Sequence, residues 1–157
     1  MPSVAITVDT VFPAPLDQAF EVVTAEDVVP KLLKGFGPIP AVVGTTARHG
    51  TWDRVGSHRV IQLADGGTVR EELTGFDRPW SFDYRVTEFS PPFSAIVARA
   101  RGQWTLEEAP GGTRIRWTYA FEPRSLLAYP LLLLIGQLAW RGVMGRAFEN
   151  LALELGR

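Results

Sequence analysis

Hydrophobic and polar residues alternate along most of this chain with the two-residue period of half-buried strands. Val4, Ile6 and Val8 alternate with Ala5, Thr7 and Asp9, and Pro13 and Pro15 end that strand. The spacing then changes. Ala19, Phe20 and Val23 share one face of a helix predicted from Leu16 to Val23. Thr24 is placed to cap a second short helix running through Leu33, and Pro30 predicts a kink or two short pieces there. Gly35, Gly37, Pro38 and Pro40 mark a loop.

From Ala41 to Glu122 the chain reads as strands separated by regular turn signals. These are 48–50, Asp65-Gly66-Gly67, Asp77-Arg78-Pro79, Ser90-Pro91-Pro92 and Ala109-Pro110-Gly111-Gly112. Such spacing predicts an antiparallel meander. Trp80, Phe82, Tyr84 and Val86 form one face of a strand, opposite Ser81, Asp83 and Arg85. Ile96, Ala98, Ala100, Gly102, Trp104 and Leu106 oppose Arg99, Arg101, Gln103 and Thr105. Ile115, Trp117, Tyr119 and Phe121 oppose Arg114, Arg116 and Thr118. Turn lengths support these faces. Pairing Leu63 with Val69 leaves a three-residue loop with Gly67 last, where a positive φ is usual. Leu106 then falls opposite Ile115 by the same reasoning.

A sheet with one dry face must cover it. The remaining element long enough is the C-terminal segment, which Ser125 can cap and whose Pro130 is tolerable in a first turn. Leu131, Leu134, Leu138, Gly142, Phe148 and Leu155 recur there at helical spacing, which predicts the inward face of a helix of roughly 25 residues, about 37 Å long. Leu131 to Ile135 is continuously apolar, and a helix on a sheet buries only part of its circumference. Some of these side chains must meet the Phe36 loop, a second subunit (a homodimer) or a lipid surface.

The chain has 157 residues, a size suited to one domain over 1–157, and 46% hydrophobic residues suffice for a core. With no cysteine, disulfides, thiolate metal sites and a cysteine nucleophile are excluded. A net charge of -1 gives no electrostatic reason for a nucleic-acid partner. Met1-Pro2-Ser3-Val4 does not read as a signal peptide, and the stretch 126–140 is too short to span a bilayer, so a cytoplasmic location is expected. His49 and His58 lack a second ligand at metal spacing, and no phosphate or dinucleotide loop is present, so neither metal nor cofactor is expected. Arg99, Arg101, Arg114 and Arg116 form a basic stripe on the outer face, either simply solvated or facing an anionic partner.

The order strand, two short helices, six strands and one long helix resembles the START-like (SRPBCC) superfamily. Within it, the chain is most similar to the polyketide cyclase/dehydrase-type branch. The resemblance rests on Gly56-Ser57-His58-Arg59-Val60-Ile61-Gln62-Leu63-Ala64-Asp65-Gly66-Gly67 running into Val69-Arg70-Glu71-Glu72-Leu73. Gly112-Thr113-Arg114-Ile115-Arg116-Trp117 before the last helix and the lead-in Phe12-Pro13-Ala14-Pro15-Leu16-Asp17-Gln18-Ala19-Phe20 add to it. It implies an α+β helix-grip fold, a curved antiparallel sheet of about seven strands wrapped around the C-terminal helix, with a deep cavity between them. It also implies functions as diverse as lipid carriage, hormone sensing and aromatic polyketide cyclisation, so fold transfers further than function.

Glu71 lies between Val69 and Leu73 on a face read as inward, where a desolvated carboxylate can serve as acid or base, anchor a ligand, or form a buried ion pair. Arg59 falls diagonal to it on the neighbouring strand. If that mixed strand presents its other face, His58 and Gln62 point inward instead. Tyr84 and Tyr119, also inward, either orient a ligand or complete the core. Phe36, Trp52, Trp80, Phe82, Trp104, Trp117 and Phe121 supply aromatic walls and core, and Ile61 and Leu73 line the same face. The small Ala98 and Ala100 predict unfilled space, with Leu134 and Leu138 bordering it from the helix. Three functions compete. One is a carrier of a small hydrophobic molecule. Another is a cyclase or dehydratase moving protons through Glu71, Tyr84 or Tyr119. The third is a protein-interaction module. A Glu71 tied to Arg59 favours the carrier; a Glu71 without an arginine partner favours the enzyme.

Overall fold

The computed structural model describes residues 3–156. Met1 and Pro2, on which the N-terminal reading partly relied, lie outside the described residues. Seven antiparallel strands form one sheet in the order β1-β7-β6-β5-β4-β3-β2. They are β1 (Val4–Phe12), β2 (Val42–His49), β3 (His58–Leu63), β4 (Thr68–Asp77), β5 (Ser81–Thr87), β6 (Val97–Ala109) and β7 (Gly112–Pro123). Two short helices, α1 (Leu16–Val23) and α2 (Val29–Leu32), separate β1 from β2. The helix-grip architecture and the meander are therefore those expected from the alternation. No helix among the described residues is long and apolar enough to cross a membrane.

The β6–β7 hairpin has the expected register, with Leu106 opposite Ile115. It closes more tightly than the turn signal suggested, because Ala109 and Gly112 still pair around Pro110 and Gly111. The β3–β4 hairpin is displaced by two residues. Ile61 pairs with Val69 and Arg59 stands directly opposite Glu71, not diagonal to it. Gly66, not Gly67, takes the positive φ of 89°, so the three-residue loop is one position earlier. A shift of two preserves which side chains face inward.

Three faces differ from the simple alternation. Ala98 is the extra residue of a bulge between Val97 and Arg99, so Val97 is fully buried and Ala98 only partly. Trp80 is 46% exposed in the β4–β5 turn and does not continue the Phe82, Tyr84 and Val86 face. Thr24 does not start a helix. It ends α1, its hydroxyl donating to the Phe20 carbonyl at 2.7 Å.

The C-terminal helix comprises α3 (Tyr129–Ile135), one π turn (Gly136–Trp140) and α4 (Arg141–Leu155). Ser125 accepts the Ala128 N–H at 3.2 Å just ahead of it, and Pro130 sits in the first turn. The extra residue of the π turn advances the inward face by about 100°. Leu132, Gly136, Ala139, Val143 and Met144 are consequently buried, in line with Ala147, Phe148, Leu151 and Leu155. Leu131, Leu134 and Leu138 point outward, at 48%, 56% and 68% exposure. At Gly136 a side chain would meet Ile6 Cδ1 at 2.9 Å, so glycine lets the helix approach β1 closely.

Helix α4 packs on β1, α1 and α2, while α3 packs on β1 and β7. The dry face is thus covered mainly at the β1–β7 end. Over β3 and β4 the roof is α2 and the loop that follows it.

Candidate functional site: a divided aromatic cavity

The uncovered part of the sheet forms a cavity of about 180 Å3. Ile61 and Val69 rise from the sheet floor, and Tyr119, Phe121 and Trp140 form the wall toward the helix. Its rim is built from loops. Pro38 and Pro40 come from the segment after α2, Asp65 and Gly67 from the β3–β4 tip, and Phe89 and Phe93 from the β5–β6 connection. A smaller inner chamber of about 40 Å3 lies between α2 and the sheet, bounded by Trp52, Arg59, Phe82 and Trp104. Glu71, Tyr84 and Trp117 border both chambers and form the partition.

That partition is rigid for identifiable reasons. Trp117 stacks on Trp104 with centroids 4.7 Å apart, and Trp104 stacks on Phe82 at 5.8 Å. The Trp117 indole N–H donates to the Tyr84 hydroxyl at 3.1 Å. Gly102 makes room for the Tyr84 ring, because a Cβ there would lie 2.1 Å from Cζ. The space expected above Ala100 and Gly102 is therefore occupied by Tyr84, and the cavity lies further along the sheet.

Arg59 is the inward residue of β3, 5% exposed, while His58 is half-buried and stacks on His49 at 4.9 Å. The guanidinium lies 3.8 Å above the Trp52 ring. Its Nε and Nη2 donate to Glu71 Oε1 at 3.1 and 3.0 Å. Both bonds fall on one carboxylate oxygen, and Oε2 takes no hydrogen bond from the described residues. Burial joins Arg59 to Glu71 because an unpaired charge at either position would be costly.

The two cavity phenols remain neutral at physiological pH. Burial pushes Tyr84 well above the ordinary phenol range, and the nearby negative charge of Glu71 adds to that, against opposing help from Trp117 and Arg59. Burial does the same to Tyr119, followed by the neighbouring Tyr84 and Glu71. Both are hydrogen-bonding groups in the cavity and poor proton donors to substrate. A phenol pKa raised in the folded state stabilises the fold below pH ~10 and loses that contribution as pH climbs toward the folded value. In an alkaline titration followed by phenolate absorbance, two of the three tyrosines should ionise only together with unfolding. Early, non-cooperative ionisation of all three would contradict this burial.

The structure brings together Trp52, Arg59, Ile61, Glu71, Phe82 and Tyr84 with Trp104, Trp117 and Tyr119 around the two chambers. Leu73 and Ala100 are fully buried core residues beneath them. Phe36 lies outside the chambers. It covers Gly142, where a Cβ would come within 2.3 Å of its ring, and stands under Arg146 at 5.5 Å. Ala98, Leu134 and Leu138 are also away from the cavity, for the bulge and π-turn reasons given above. Phe121, read from the alternation as an inward aromatic, lines the larger chamber, while sequence reasoning missed Val29, Leu33, Phe93, Trp140 and Val143. For Phe89 and Phe93, an apolar pair flanking Pro91 and Pro92 in a loop was an available signal. Among the described residues, no cluster of His, Asp or Glu could hold a metal ion.

Comparison with known structures agrees with this geometry. A protein from Mesorhizobium loti superposes with a TM-score of 0.73 at 16% identity, covering 98% of this chain and 97% of the other. A protein from Rhodobacter sphaeroides gives 0.69 at 12% identity, covering 98% and 93%. One from Mycobacterium smegmatis gives 0.64 at 22% identity, covering 97% and 90%. At these identities the likeness is one of fold. A search of curated proteins finds no significant relative. The family model described as polyketide cyclase/dehydrase and lipid transport matches residues 3–156, so this chain belongs to that family, within the START-like superfamily.

Proposed function

We propose that this protein is a non-catalytic carrier that binds one small apolar molecule, of polyketide-like, aromatic or short-chain lipid character, in the divided cavity. The reading covers the chain as a single domain over 1–157 acting in the cytoplasm. Family membership and the cavity support the broad role of hydrophobic-ligand binding. The observation that carries the finer reading is Glu71. The carboxylate between the two chambers is tied to Arg59, the Asp65 carboxylate at the rim accepts the Gly67 N–H, and the adjacent phenols are held neutral. A site built this way shapes and desolvates a ligand but offers no free acid–base pair. Volume limits the guest. A cavity near 150 Å3 accommodates benzene, so about 180 Å3 suits one or two rings or a short acyl segment.

The cyclase reading retains one specific support, the open Glu71 Oε2 beside both chambers. There, proximity and a single carboxylate would have to supply the catalysis.

Native mass spectrometry of freshly purified protein, followed by denaturing extraction, tests the carrier directly. It should show a stoichiometric apolar molecule, or stoichiometric uptake of an apolar fluorescent dye by the empty protein. Val69→Trp places extra volume on the half-buried cavity floor and should weaken dye binding by at least about tenfold while leaving Tm near the parent value. A protein that is empty and takes up no dye would overturn the carrier reading. Turnover of an aromatic polyketide-like substrate that disappears in Glu71→Gln would replace it with the enzyme.

A further inference from the structure

The outer side of the C-terminal helix presents a continuous apolar stripe that the cavity does not use. Leu127, in the turn that leads into the helix, is followed at helical spacing by Leu131, Leu134 and Leu138, and the four are 93%, 48%, 56% and 68% exposed. Leu126 and Leu133 widen the stripe, at 70% and 39% exposure. The cause lies in the backbone, since the π turn directs Leu132 and Gly136 to the sheet and leaves the leucine-rich side in solvent. A contiguous apolar surface of this kind marks an interaction site.

Charge identifies the partner. Between Glu122 and Glu149 the sequence contains no acidic residue, while Arg124, Arg141 and Arg146 fall within that interval. Arg124 donates only to the backbone carbonyls of Ser94 and Val97. Arg141 donates to the Gln137 side chain and the Thr7 carbonyl. Among the described residues, neither guanidinium meets a carboxylate. Three of the four outer-stripe arginines behave differently: Arg99 pairs with Glu122, Arg114 with Asp9 and Glu107, and Arg116 with Asp9, while Arg101, opposite Arg85, has no carboxylate partner among the described residues. The basic stripe read from the strands is thus neutralised except at Arg101, whereas the segment that carries the leucines holds arginines and no acidic residue at all.

We propose that this face docks on an anionic lipid surface, with the helix lying in the interface plane and the leucines entering the acyl boundary. Exposed apolar side chains flanked by unpaired arginines are the pattern that such a surface satisfies. A two-fold contact with a second copy satisfies it less well. It would bury leucine on leucine but bring the arginines of both chains together with no carboxylate between them. The same helix walls the cavity from its opposite side, where Trp140 lies about 200° around the axis from Leu138.

Co-sedimentation of the full chain with extruded vesicles tests this. Vesicles of three parts phosphatidylcholine to one part phosphatidylserine should capture the protein, less at high salt, and vesicles of phosphatidylcholine alone should capture little. The combined variant Leu127→Ser, Leu134→Ser and Leu138→Ser alters only exposed positions. It should keep the parent Tm and apolar-dye uptake yet bind the anionic vesicles at least about tenfold more weakly. The proposal is overturned if neither vesicle captures the protein or if the variant binds as well as the parent. It is also overturned if light scattering shows a parent dimer that the variant converts to a monomer. Retained dye uptake in the variant separates this surface from the cavity, so either reading fails independently.

Discussion

Replacing Arg59 with alanine should destabilise the protein by about 3–5 kcal/mol, seen as a lower urea midpoint with an unchanged slope. The side chains of Arg59 and Glu71 are only 6% and 12% exposed, and their 3.0 Å contact lies at the partition between the chambers. Removing the guanidinium strands a carboxylate on an apolar wall and also empties the face of Trp52. The double replacement Arg59→Met with Glu71→Leu removes both charges and keeps much of the volume. It should recover most of the loss and fall close to the parent or above it. At this chain length each kcal/mol corresponds to roughly 2–4 °C in Tm, so the single and double variants are readily separated. An Arg59→Ala protein as stable as the parent would show that the pair is not the structural element described here. Glu71 would then be available for ligand or substrate.

Trp117→Ala should have an effect of similar size on stability, about 3–5 kcal/mol, and a second effect on binding. The indole stacks on Trp104, lies 6.4 Å from Phe148, and holds the Tyr84 hydroxyl. Because it borders both chambers, its loss should also merge them. Dye titration of the variant should then admit larger apolar probes than the parent accepts. Trp80→Ala provides the internal contrast. The alternation of 80–86 places Trp80 and Phe82 on one face, yet Trp80 is 46% exposed in its turn. Its replacement should change stability by no more than about 0.5 kcal/mol. Equal losses from both tryptophans would mean that the aromatic partition contributes little beyond ordinary burial.

The local pattern of the chain carries much of this protein. Period-two alternation over 81–87 and 115–121 fixes which side chains of β5 and β7 turn inward. A strand has only two faces, and one of them must be dry. The glycine and proline turns fix the meander, and the six-residue difference between Ile115 and Phe121 keeps the whole aromatic set on one side. From these, Glu71, Tyr84, Trp117 and Tyr119 were legible as neighbours of a common space. The order of elements made the helix-grip architecture legible as well.

Tertiary structure decided the rest, for reasons that no local window contains. Whether Arg59 or His58 enters the core depends on the cross-strand partner, because a buried guanidinium is tolerable only where a carboxylate is brought opposite it. The position of the cavity depends on how far the helices cover the sheet, so Phe93 and Trp140 become walls while Ala98 and Phe36 do not. The leucine stripe depends on one extra residue. A straight helix would have turned Leu133 toward the sheet, because about five whole turns separate it from buried Leu151. The π turn rotates the segment so that Gly136 can pack against Val4 and Ile6, and the most apolar side of the helix is left facing outward.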